Sequence, residues 1–356
     1  DGVVDAFRAA GRPIVGPSKE AAQLEGSKIF AKRFMQRAGI PTAAYAVAEN
    51  PEEAREALGR FSYPVVLKAD GLAAGKGVVI CATAIEAHDT IHSLFSGALA
   101  GSAGSRVVIE EFLEGEEVSF IGLCDGERVA ALEPSQDHKT IYDGDIGPNT
   151  GGMGAYSDSR ILDEQTRELI MGRVMQTTVD QMAAEGTPFT GFLYAGLMMT
   201  SAGPKVLEFN VRLGDPETQA LLFRLDCDFG ELLMEAAQGR VRAESLRFSP
   251  DPSVCVVLAA HGYPGQVRAG DPISGLDAAE QTGAVVFHAG TKLNDQRQLV
   301  TSGGRVLGVT AAGPTLPAAI EAAYAACRHI RFEGCQMRSD IGRKGLKRWQ
   351  RDSRVQ

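Results

Sequence analysis

The chain has 356 residues, of which 44% are hydrophobic and 23% are charged, as in ordinary globular proteins. This length is too great for one compact core and suits two or three packed units. With 36 basic and 45 acidic residues the formal net charge is -9, which argues against non-specific binding to nucleic acid. No apolar run reaches the roughly 20 residues that a membrane helix needs, and no signal peptide is recognisable.

The six cysteines are scattered along the chain and form no Cys-X-X-Cys pair. This spacing predicts reduced thiols in a cytoplasmic protein rather than a disulfide framework or a zinc site. The chain opens without methionine on apolar residues at helical spacing, so we expect residue 1 to be a cut point inside a helix.

Helix and strand signals alternate over the first 132 residues. Ser27 and Asn50 are typical helix caps, Pro51 suits a first helical turn, and Gly39 suits a helix end. The patterns predict helices over 3–10, 27–38, 51 onward and 84–96. They predict extended segments or strands over 12–16, 42–48, 63–69, 78–81, 106–111, 117–124 and 127–132.

The stretch from Ser135 to Tyr156 holds five glycines in 22 residues and few large aliphatic side chains, which predicts a long functional loop. A helix over 163–184, strands over 191–199 and 205–211 and a helix from 215 follow. The segment Ser249–Pro252 suggests a boundary between two structural units. Beyond it, strands over 253–260, 284–288 and 304–311 and a helix over 315–329 indicate a separate α+β unit.

The segment from Lys68 to Val78 is a lysine, a glycine-rich turn and a second lysine. It is not a P-loop, because only three residues separate Gly71 from Gly75 and because Lys76 is followed by Gly77. Lys68 falls in an apolar strand, where a buried ammonium needs an anionic partner. That partner is either a carboxylate, Glu110 or Glu111, or a phosphate that the glycine amides also approach.

Strand alternation over 206–212 places Glu208, Asn210 and Arg212 on the face opposite to the apolar residues. A carboxylate and an amide oxygen two residues apart suit magnesium, and the arginine could stabilise charge on a transferring phosphoryl group. A merely solvated polar face is the alternative.

Two further segments have weaker signals. The acidic turn around Phe112 and Leu113 is either solvated or an adenine and ribose segment. On the predicted long loop, His138 is either structural or a substrate contact. Thr150, Gly151 and Gly152 are expected to offer free amides to a carboxylate or phosphate.

Several of these segments, taken in order, resemble the glycinamide ribonucleotide synthetase family of the ATP-grasp superfamily. The similarity runs from residue 1 to about residue 345. The matching segments are residues 21–28, 68–77, 147–156, 191–198, 208–218 and 288–292.

The resemblance implies ATP-dependent joining of glycine to 5-phosphoribosylamine through a glycyl phosphate, the second step of de novo purine synthesis. It implies ATP and Mg²⁺ (or Mn²⁺), with glycine and phosphoribosylamine as substrates. By matching position, the metal ligands are Glu208 and Asn210, and the catalytic residues are Arg212, Asp215 and Lys76. The ATP contacts are Lys28, Lys68, Gly75, Lys76, Gly77, Glu110, Phe112, Leu113 and Glu117. The substrate contacts are Asp137, His138, Asn149, Thr150 and Gly151.

The resemblance also implies an α+β ATP-grasp fold, and we expect a monomer. We expect a remnant of an N-terminal Rossmann-like domain over 1–26, the ATP-grasp domain over 27–240 with a lid over about 42–113, and a small α+β domain over 241–356. The family's early Gly-Gly-Arg-Glu-His loop is not in this sequence, which puts phosphoribosylamine binding in question. Two alternatives stay open: another ATP-grasp ligase, and a nucleotide-binding module without turnover.

Overall fold

The computed structural model describes residues 2–71 and 77–352. Two predicted site residues, Gly75 and Lys76, lie outside the described residues. Helices and strands are both abundant in the described part, which confirms the predicted α+β class.

The helices in chain order are α1 Val3–Ala9, α2 Gln23–Gly26, α3 Lys28–Ala38, α4 Pro51–Leu58, α5 Ala84–Phe95, α6 Glu164–Ile170, α7 Thr177–Ala184, α8 Glu217–Phe223, α9 Phe229–Ala237, α10 Leu276–Glu280, α11 Leu316–Cys327 and α12 Leu346–Asp352. A π-helical stretch, Met171–Gln176, connects α6 to α7. Short 3₁₀ turns occupy Gly101–Ser105, Ser159–Ile161, Ala243–Ser245 and Arg343–Gly345.

The strands are β1 Tyr45–Ala48, β2 Val65–Ala69, β3 Val78–Cys81, β4 Val107–Glu111, β5 Glu116–Asp125, β6 Val129–Ala131, β7 Ser135–Asp137, β8 Thr140–Tyr142, β9 Ile146–Asn149, β10 Gly154–Ser157, β11 Thr190–Thr200, β12 Gly203–Asn210, β13 Ser253–Ala259, β14 Val285–His288, β15 Thr291–Leu293, β16 Leu299–Thr301 and β17 Arg305–Ala312.

The chain forms two compact units, each assembled from separate stretches. Unit 1 comprises Asp1–Ala131, Gln165–Arg212 and Gly230–Ala243. Unit 2 comprises Leu132–Glu164, Leu213–Phe229 and Glu244–Gln356. The domain boundaries expected at residues 26 and 240 stay predictions.

Unit 1 contains two groups of antiparallel strands. The first is a four-stranded sheet in the order β1-β4-β2-β3, and α4 and α5 pack against it over an apolar core that includes Leu58, Leu67, Ile91 and Ile109. The second has the order β12-β11-β5, with β6 also paired to β5. The first sheet carries the predicted lid residues, and β12 carries the predicted metal ligands.

Two helices of unit 1 begin where local chemistry predicts. The Ser27 side chain accepts a hydrogen bond from the amide of Phe30, and α3 ends at Gly39, whose φ of 66° is left-handed. Asn50 caps α4 in the same way, and Pro51 occupies its first turn. Both predicted helices are therefore confirmed.

The strand predicted over residues 12–16 is wrong. This segment runs without strand pairing in the described structure. Thr190 donates to the carbonyl of Gly16 at 2.6 Å, and a side chain at Gly191 would collide with the Gly16 backbone. The segment thus contacts the start of β11 without forming a hydrogen-bonded ladder.

Unit 2 is built on five antiparallel strands in the order β7-β10-β13-β17-β14. All seven residues of β13 are buried, and α8 and α11 pack against it and against β17. Two separate hairpins, β8–β9 and β15–β16, complete the strands of this unit.

The long loop predicted from Ser135 to Tyr156 is also wrong. The stretch contains β7, β8, β9 and the start of β10, which are three or four residues long. Such short strands, rich in glycine and polar residues, lack the apolar alternation by which a strand is recognised. One of the partners is distant, since β10 pairs with β13 about a hundred residues later in the chain, whereas β8 and β9 pair with each other as a hairpin.

None of the helices in the described part is both long and apolar enough to cross a bilayer. All six cysteines are free thiols, and four of them are buried. The predicted reduced state of these thiols stays a prediction.

Candidate active site

Lys68 lies in β2 with its side chain buried in unit 1. Its Nζ is 2.9 Å from Oε2 of Glu110 on β4, and it donates to the carbonyl of Leu207 on β12 at 3.2 Å. Val66 lies opposite Glu110, so Lys68, two residues farther along β2, shares a face of the sheet with that carboxylate. The structure confirms the predicted carboxylate partner, while the phosphate contact stays a prediction.

A second lysine, absent from the sequence prediction, contacts the same carboxylate. Lys32 on α3 places its Nζ 3.1 Å from Oε2 of Glu110, and both side chains are only 2% exposed. Burial lowers the pKa of Lys32 to about 8, against the opposing effect of Glu110. The local sequence carries no signal for this role, because both the burial of Lys32 and its contact with Glu110 come from the fold.

Lys28 begins α3, one turn before Lys32 on the same side of the helix. Its Nζ donates to the carbonyl of Gly71, the first glycine of the glycine-rich segment, at 3.0 Å. Burial lowers the pKa of Lys28, and the negative charge of Glu208 is the largest effect that opposes this lowering. Lys28 therefore contacts the start of the glycine-rich segment and is also influenced by the charge of Glu208.

Asp70 attaches the start of α3 to the end of β2. Its Oδ1 accepts hydrogen bonds from Ser27 Oγ at 2.9 Å and from the amide of Ile29 at 3.1 Å. Its Oδ2 is 2.6 Å from a guanidinium nitrogen of Arg106. The sequence prediction missed Asp70, although an aspartate at a strand end beside a helix start is a recognisable positioning residue.

Glu208 and Asn210 lie on β12 opposite Gly196 and Tyr194 of β11. Glu208 is exposed and Asn210 is half-buried, whereas Phe209 between them is 2% exposed. The predicted alternation of faces is thus confirmed for this stretch. The two oxygen donors share a face, as a common metal ion would require.

Arg212 follows the end of β12. Its Nε is 3.1 Å from Oε1 of Glu25, and its NH2 lies 3.4 Å from Oδ1 of Asn210. Glu25 also accepts the amide of Val211 at 2.8 Å, so α2 fixes the end of the strand. Glu25 is a second positioning residue that the sequence prediction missed.

The predicted adenine segment joins β4 to β5. Phe112 is 36% exposed, and Leu113 is buried against Ala43 and Met198. Glu117 is exposed on β5, opposite Met198. Gly77 is buried, and its carbonyl accepts a hydrogen bond from the amide of Ala69 at 2.7 Å.

In unit 2, His138 follows β7 and is fully buried. Its backbone pairs with Gly154 and Met153, and neither ring nitrogen has a hydrogen-bond partner among the described residues. Burial, together with the nearby charges of Lys344 and Arg338, lowers its pKa to about 3. The ring is therefore neutral at physiological pH. Asp137, before it, is half-buried opposite Ala155.

The free amides predicted after Asn149 are not free. The amide of Thr150 donates to the Lys139 carbonyl at 2.7 Å, and that of Gly152 donates to Thr150 Oγ1 at 2.9 Å. The amide of Gly151 donates to the Tyr263 hydroxyl at 2.9 Å. The prediction failed because hydrogen-bond partners from distant segments cannot be read from local sequence. Asn149 itself is exposed at the end of β9.

Asp215 is held by Arg305, a residue that the sequence prediction missed. One guanidinium nitrogen donates to the carbonyls of Gly151 and Asp215 at 2.7 and 2.9 Å, and the other is 2.9 Å from Asp215 Oδ2. Gln219 donates to Oδ1 of the same carboxylate at 3.0 Å. Arg305 therefore joins two predicted site segments within unit 2.

Two family models match the chain. The model of the Phosphoribosylglycinamide synthetase, ATP-grasp (A) domain, covers residues 26–218, and that of the Phosphoribosylglycinamide synthetase, C domain, covers residues 253–344. The first match confirms the ATP-grasp fold that the sequence resemblance implies.

Curated relatives match over nearly the whole chain. It is 51% identical over 350 residues to the phosphoribosylamine–glycine ligase of Vibrio cholerae serotype O1, a match that covers 98% of this chain and 81% of that protein. It is 50% identical over 350 residues to the phosphoribosylamine–glycine ligase of Escherichia coli strain K12, over 98% of this chain and 82% of the relative.

Solved structures show the same similarity. The phosphoribosylamine–glycine ligase of Thermotoga maritima superposes with a TM-score of 0.84 at 40% identity, over 92% of this chain and 81% of that chain. The biotin carboxylase domain of the Hydrogenobacter thermophilus 2-oxoglutarate carboxylase gives a TM-score of 0.71 at 18% identity, over 94% of this chain and 72% of that one. The latter similarity concerns the fold alone.

Proposed function

The chain belongs to the phosphoribosylglycinamide synthetase family, and we propose that unit 1 binds ATP while residues of unit 2 bind the other substrates. It is an ATP-dependent carbon–nitrogen ligase of purine biosynthesis, which joins glycine to 5-phosphoribosylamine. The products are glycinamide ribonucleotide, ADP and phosphate.

The proposed chemistry needs no nucleophile from the protein. The glycine carboxylate attacks the γ-phosphorus, the bond to the bridging oxygen of ADP breaks, and glycyl phosphate forms. The amine of phosphoribosylamine then attacks the glycyl carbonyl carbon and expels phosphate, and the amine loses a proton. Catalysis consists of holding these groups in place and neutralising charge.

The observation that carries the nucleotide assignment is the convergence of lysines on β12. Lys68 donates to the carbonyl of Leu207, and Lys28 is under the electrostatic influence of Glu208, the next residue. Lysines suit the phosphates of a nucleoside triphosphate, and the oxygen donors at the end of β12 suit its metal ion. We assign Lys28 and Lys68 to the phosphate side of ATP, together with Gly75, Lys76 and Gly77, and Glu110 to the ATP site as the carboxylate that pairs with Lys68. Phe112, Leu113 and Glu117 are assigned to its adenosine.

Glu208 and Asn210 fit Mg²⁺ as metal ligands. They supply a carboxylate and an amide oxygen on one face of β12, and the described residues contain no group of three or more His, Cys, Asp and Glu that could hold a metal. A donor pair suits an ion that completes its shell with water and phosphate oxygens. When bound, Mg²⁺ (or Mn²⁺ in its place) neutralises charge on the terminal phosphates. Arg212, whose guanidinium lies near Asn210, is proposed to stabilise charge on the transferred phosphoryl group.

In unit 2, we assign Asp137, Asn149, Thr150 and Gly151 to the binding of glycine and phosphoribosylamine. The bonds of Arg305 to Gly151 and Asp215 support this assignment, because they hold two exposed, polar segments together. His138 would act from inside the unit, since its ring is fully buried. Asp215 is proposed to act in catalysis from its exposed position after β12.

The assay that tests this function supplies MgATP with one carboxylate at a time: glycine, bicarbonate or D-alanine. ADP release is expected with glycine and freshly prepared phosphoribosylamine, together with an equal amount of glycinamide ribonucleotide. ADP release with bicarbonate or D-alanine instead would identify another ligase, and nucleotide binding without product would identify a binding module. We also propose that the protein is cytoplasmic and monomeric. Light scattering after gel filtration measures its molar mass and so tests the monomeric state.

A further inference from the structure

We propose that Lys32 is a positioning residue for nucleotide binding, which holds the Glu110 carboxylate so that the Lys68 ammonium stays available to the phosphates of ATP. This inference rests on the proposed role of Lys68 in binding ATP. It concerns a residue that makes no proposed contact with substrate and acts through two buried neighbours.

The geometry shows one carboxylate oxygen shared by two lysines. Oε2 of Glu110 is 2.9 Å from Lys68 Nζ and 3.1 Å from Lys32 Nζ. Lys32 also donates to Thr42 Oγ1 at 2.7 Å, and Thr42 in turn donates to the carbonyl of Val206 at 2.6 Å. Lys32 is thus fixed by α3 on one side and by the segment before β1 on the other.

The formal charges of the cluster formed by Lys32, Lys68 and Glu110 do not cancel. Two ammonium groups and one carboxylate give a formal charge of +1, and Lys32 and Glu110 are each 2% exposed. An unbalanced buried charge is unfavourable unless another group of opposite sign binds beside it. The lowered pKa of Lys32, about 8, reflects this burial. An excess of positive charge beside Lys68 is what an entering phosphate requires.

The hydrogen bonds of Lys68 indicate which function depends on Lys32. An ammonium has three protons. Glu110 and the Leu207 carbonyl accept two of those of Lys68, and the third has no partner among the described residues. If Lys32 were removed, Lys68 would be the one ammonium left within salt-bridge distance of Glu110 in the described structure. The carboxylate would then compete more strongly with phosphate for Lys68.

The first test compares Lys32→Met with Lys32→Arg. Titration calorimetry gives the dissociation constant of MgATP, and steady-state kinetics give the KM for glycine. We expect Lys32→Met to weaken MgATP binding about tenfold, as loss of a charge-assisted contact does, with little change in the KM for glycine. Lys32→Arg should restore affinity to within about threefold, because a second cation again faces Glu110. Unchanged MgATP affinity in a folded Lys32→Met protein overturns the inference.

The second test asks whether Lys32 acts through Glu110. In a Glu110→Gln background, Lys32→Met should have almost no further effect on MgATP affinity, since no carboxylate remains to be held. An equal loss in both backgrounds contradicts the inference. If Lys32→Met alone unfolds, the double variant should still fold, because it has no buried carboxylate left without its lysine. Its MgATP affinity is then compared with that of Glu110→Gln.

Lys68→Met separates this inference from the function on which it rests. If Lys68→Met leaves MgATP affinity unchanged, the proposed nucleotide site is wrong. If Lys68→Met weakens binding but Lys32→Met does not, the nucleotide site stands and only the role of Lys32 fails.

Discussion

Lys68 and Glu110 form a 2.9 Å ion pair across adjacent strands of unit 1, with 8% and 2% of their side chains exposed. Lys32 contacts the same oxygen of Glu110, so the three side chains together carry more positive than negative charge. The surplus positive charge is the reason that we propose this cluster as part of the site for a negatively charged nucleotide.

Lys68→Met is expected to weaken MgATP binding by at least about tenfold, because a charged contact to phosphate is lost. The matched control is Lys205→Met, which removes another lysine–glutamate pair of unit 1. That pair, Lys205 with Glu111 at 2.8 Å, is 28% and 37% exposed. The control should keep its MgATP affinity and lose no more than about 1 kcal/mol of unfolding free energy. Equal effects of the two substitutions on MgATP affinity would refute the assignment of Lys68.

Glu208→Gln is expected to reduce magnesium-dependent turnover by at least about a hundredfold while leaving the thermal midpoint nearly unchanged. Glu208 is exposed, so its neutral analogue disturbs no core packing. Turnover should be measured across a magnesium titration, with Glu56→Gln on α4 as an exposed control. Activity near the wild-type value at every magnesium concentration would remove Glu208 from the metal site.

Buried His138 predicts a pH-dependent stability. Its pKa is about 3 in the folded protein, where burial disfavours the charged ring, and near 6.5 when unfolded. The unfolded chain therefore binds one more proton below about pH 6.5, and the free energy of unfolding falls by up to about 1.4 kcal/mol per pH unit toward pH 3.

Denaturant unfolding at pH 7.5 and pH 5.5 measures this effect. His138→Leu should reduce the difference in unfolding free energy between the two pH values by about 1 kcal/mol. His261→Leu is the control, since His261 is an exposed histidine of the same unit. A His138→Leu protein with the wild-type pH dependence would show that the ring is not held neutral by burial.

Arg338 connects the β8–β9 hairpin to the segment around Asp340. Its buried guanidinium is 2.7 Å from Asp340 Oδ2 and 3.0 Å from Asp145 Oδ1, and it donates to Thr140 Oγ1 at 2.9 Å. Arg338→Met should lower the unfolding free energy by about 2 kcal/mol, because charged hydrogen bonds to Asp340 and Asp145 are lost while Lys344 still faces Asp145. Arg343→Met, at an exposed arginine, should change it little.

The same cluster predicts an acid-sensitive contribution from Asp145 and Asp340. Burial raises the pKa of each carboxyl, but other groups outweigh it, so both pKa values lie below normal. Lys344 and then Arg338 lower the pKa of Asp145, and Arg338 and then the amide of Gly144 lower that of Asp340. Their stabilising contribution is complete above about pH 4 and is lost as pH falls below it. Chemical denaturation between pH 7 and pH 3 should show a shallower decline in Arg338→Met than in the wild type. An identical decline contradicts the assignment of the acid effect to this arginine.

Local signals in the sequence predicted much of the fold. Ser27, Gly39, Asn50 and Pro51 act within a few residues of themselves, and the helices that they delimit are confirmed. The strand predicted at 12–16 and the loop predicted at 135–156 were wrong, because strand formation depends on a pairing partner that local sequence does not reveal.

In the candidate site, too, local features could be predicted, whereas contacts between distant segments could not. The faces of Glu208, Phe209 and Asn210 follow from strand alternation and could be predicted. Lys32 and Arg305 could not, because their importance comes from contacts with Glu110 and Asp215, which are 78 and 90 residues away in sequence (110 − 32 and 305 − 215). Such contacts depend on the fold and not on the local composition.

The account depends most on direct attack of the glycine carboxylate on ATP, which an oxygen-isotope transfer measures. Glycine labelled with ¹⁸O in both carboxylate oxygens is supplied with MgATP and freshly prepared phosphoribosylamine. Mass spectrometry of the released inorganic phosphate should show one ¹⁸O atom per phosphate, in amounts equal to glycinamide ribonucleotide. Phosphate without ¹⁸O, or release of phosphate without glycinamide ribonucleotide, would contradict the account.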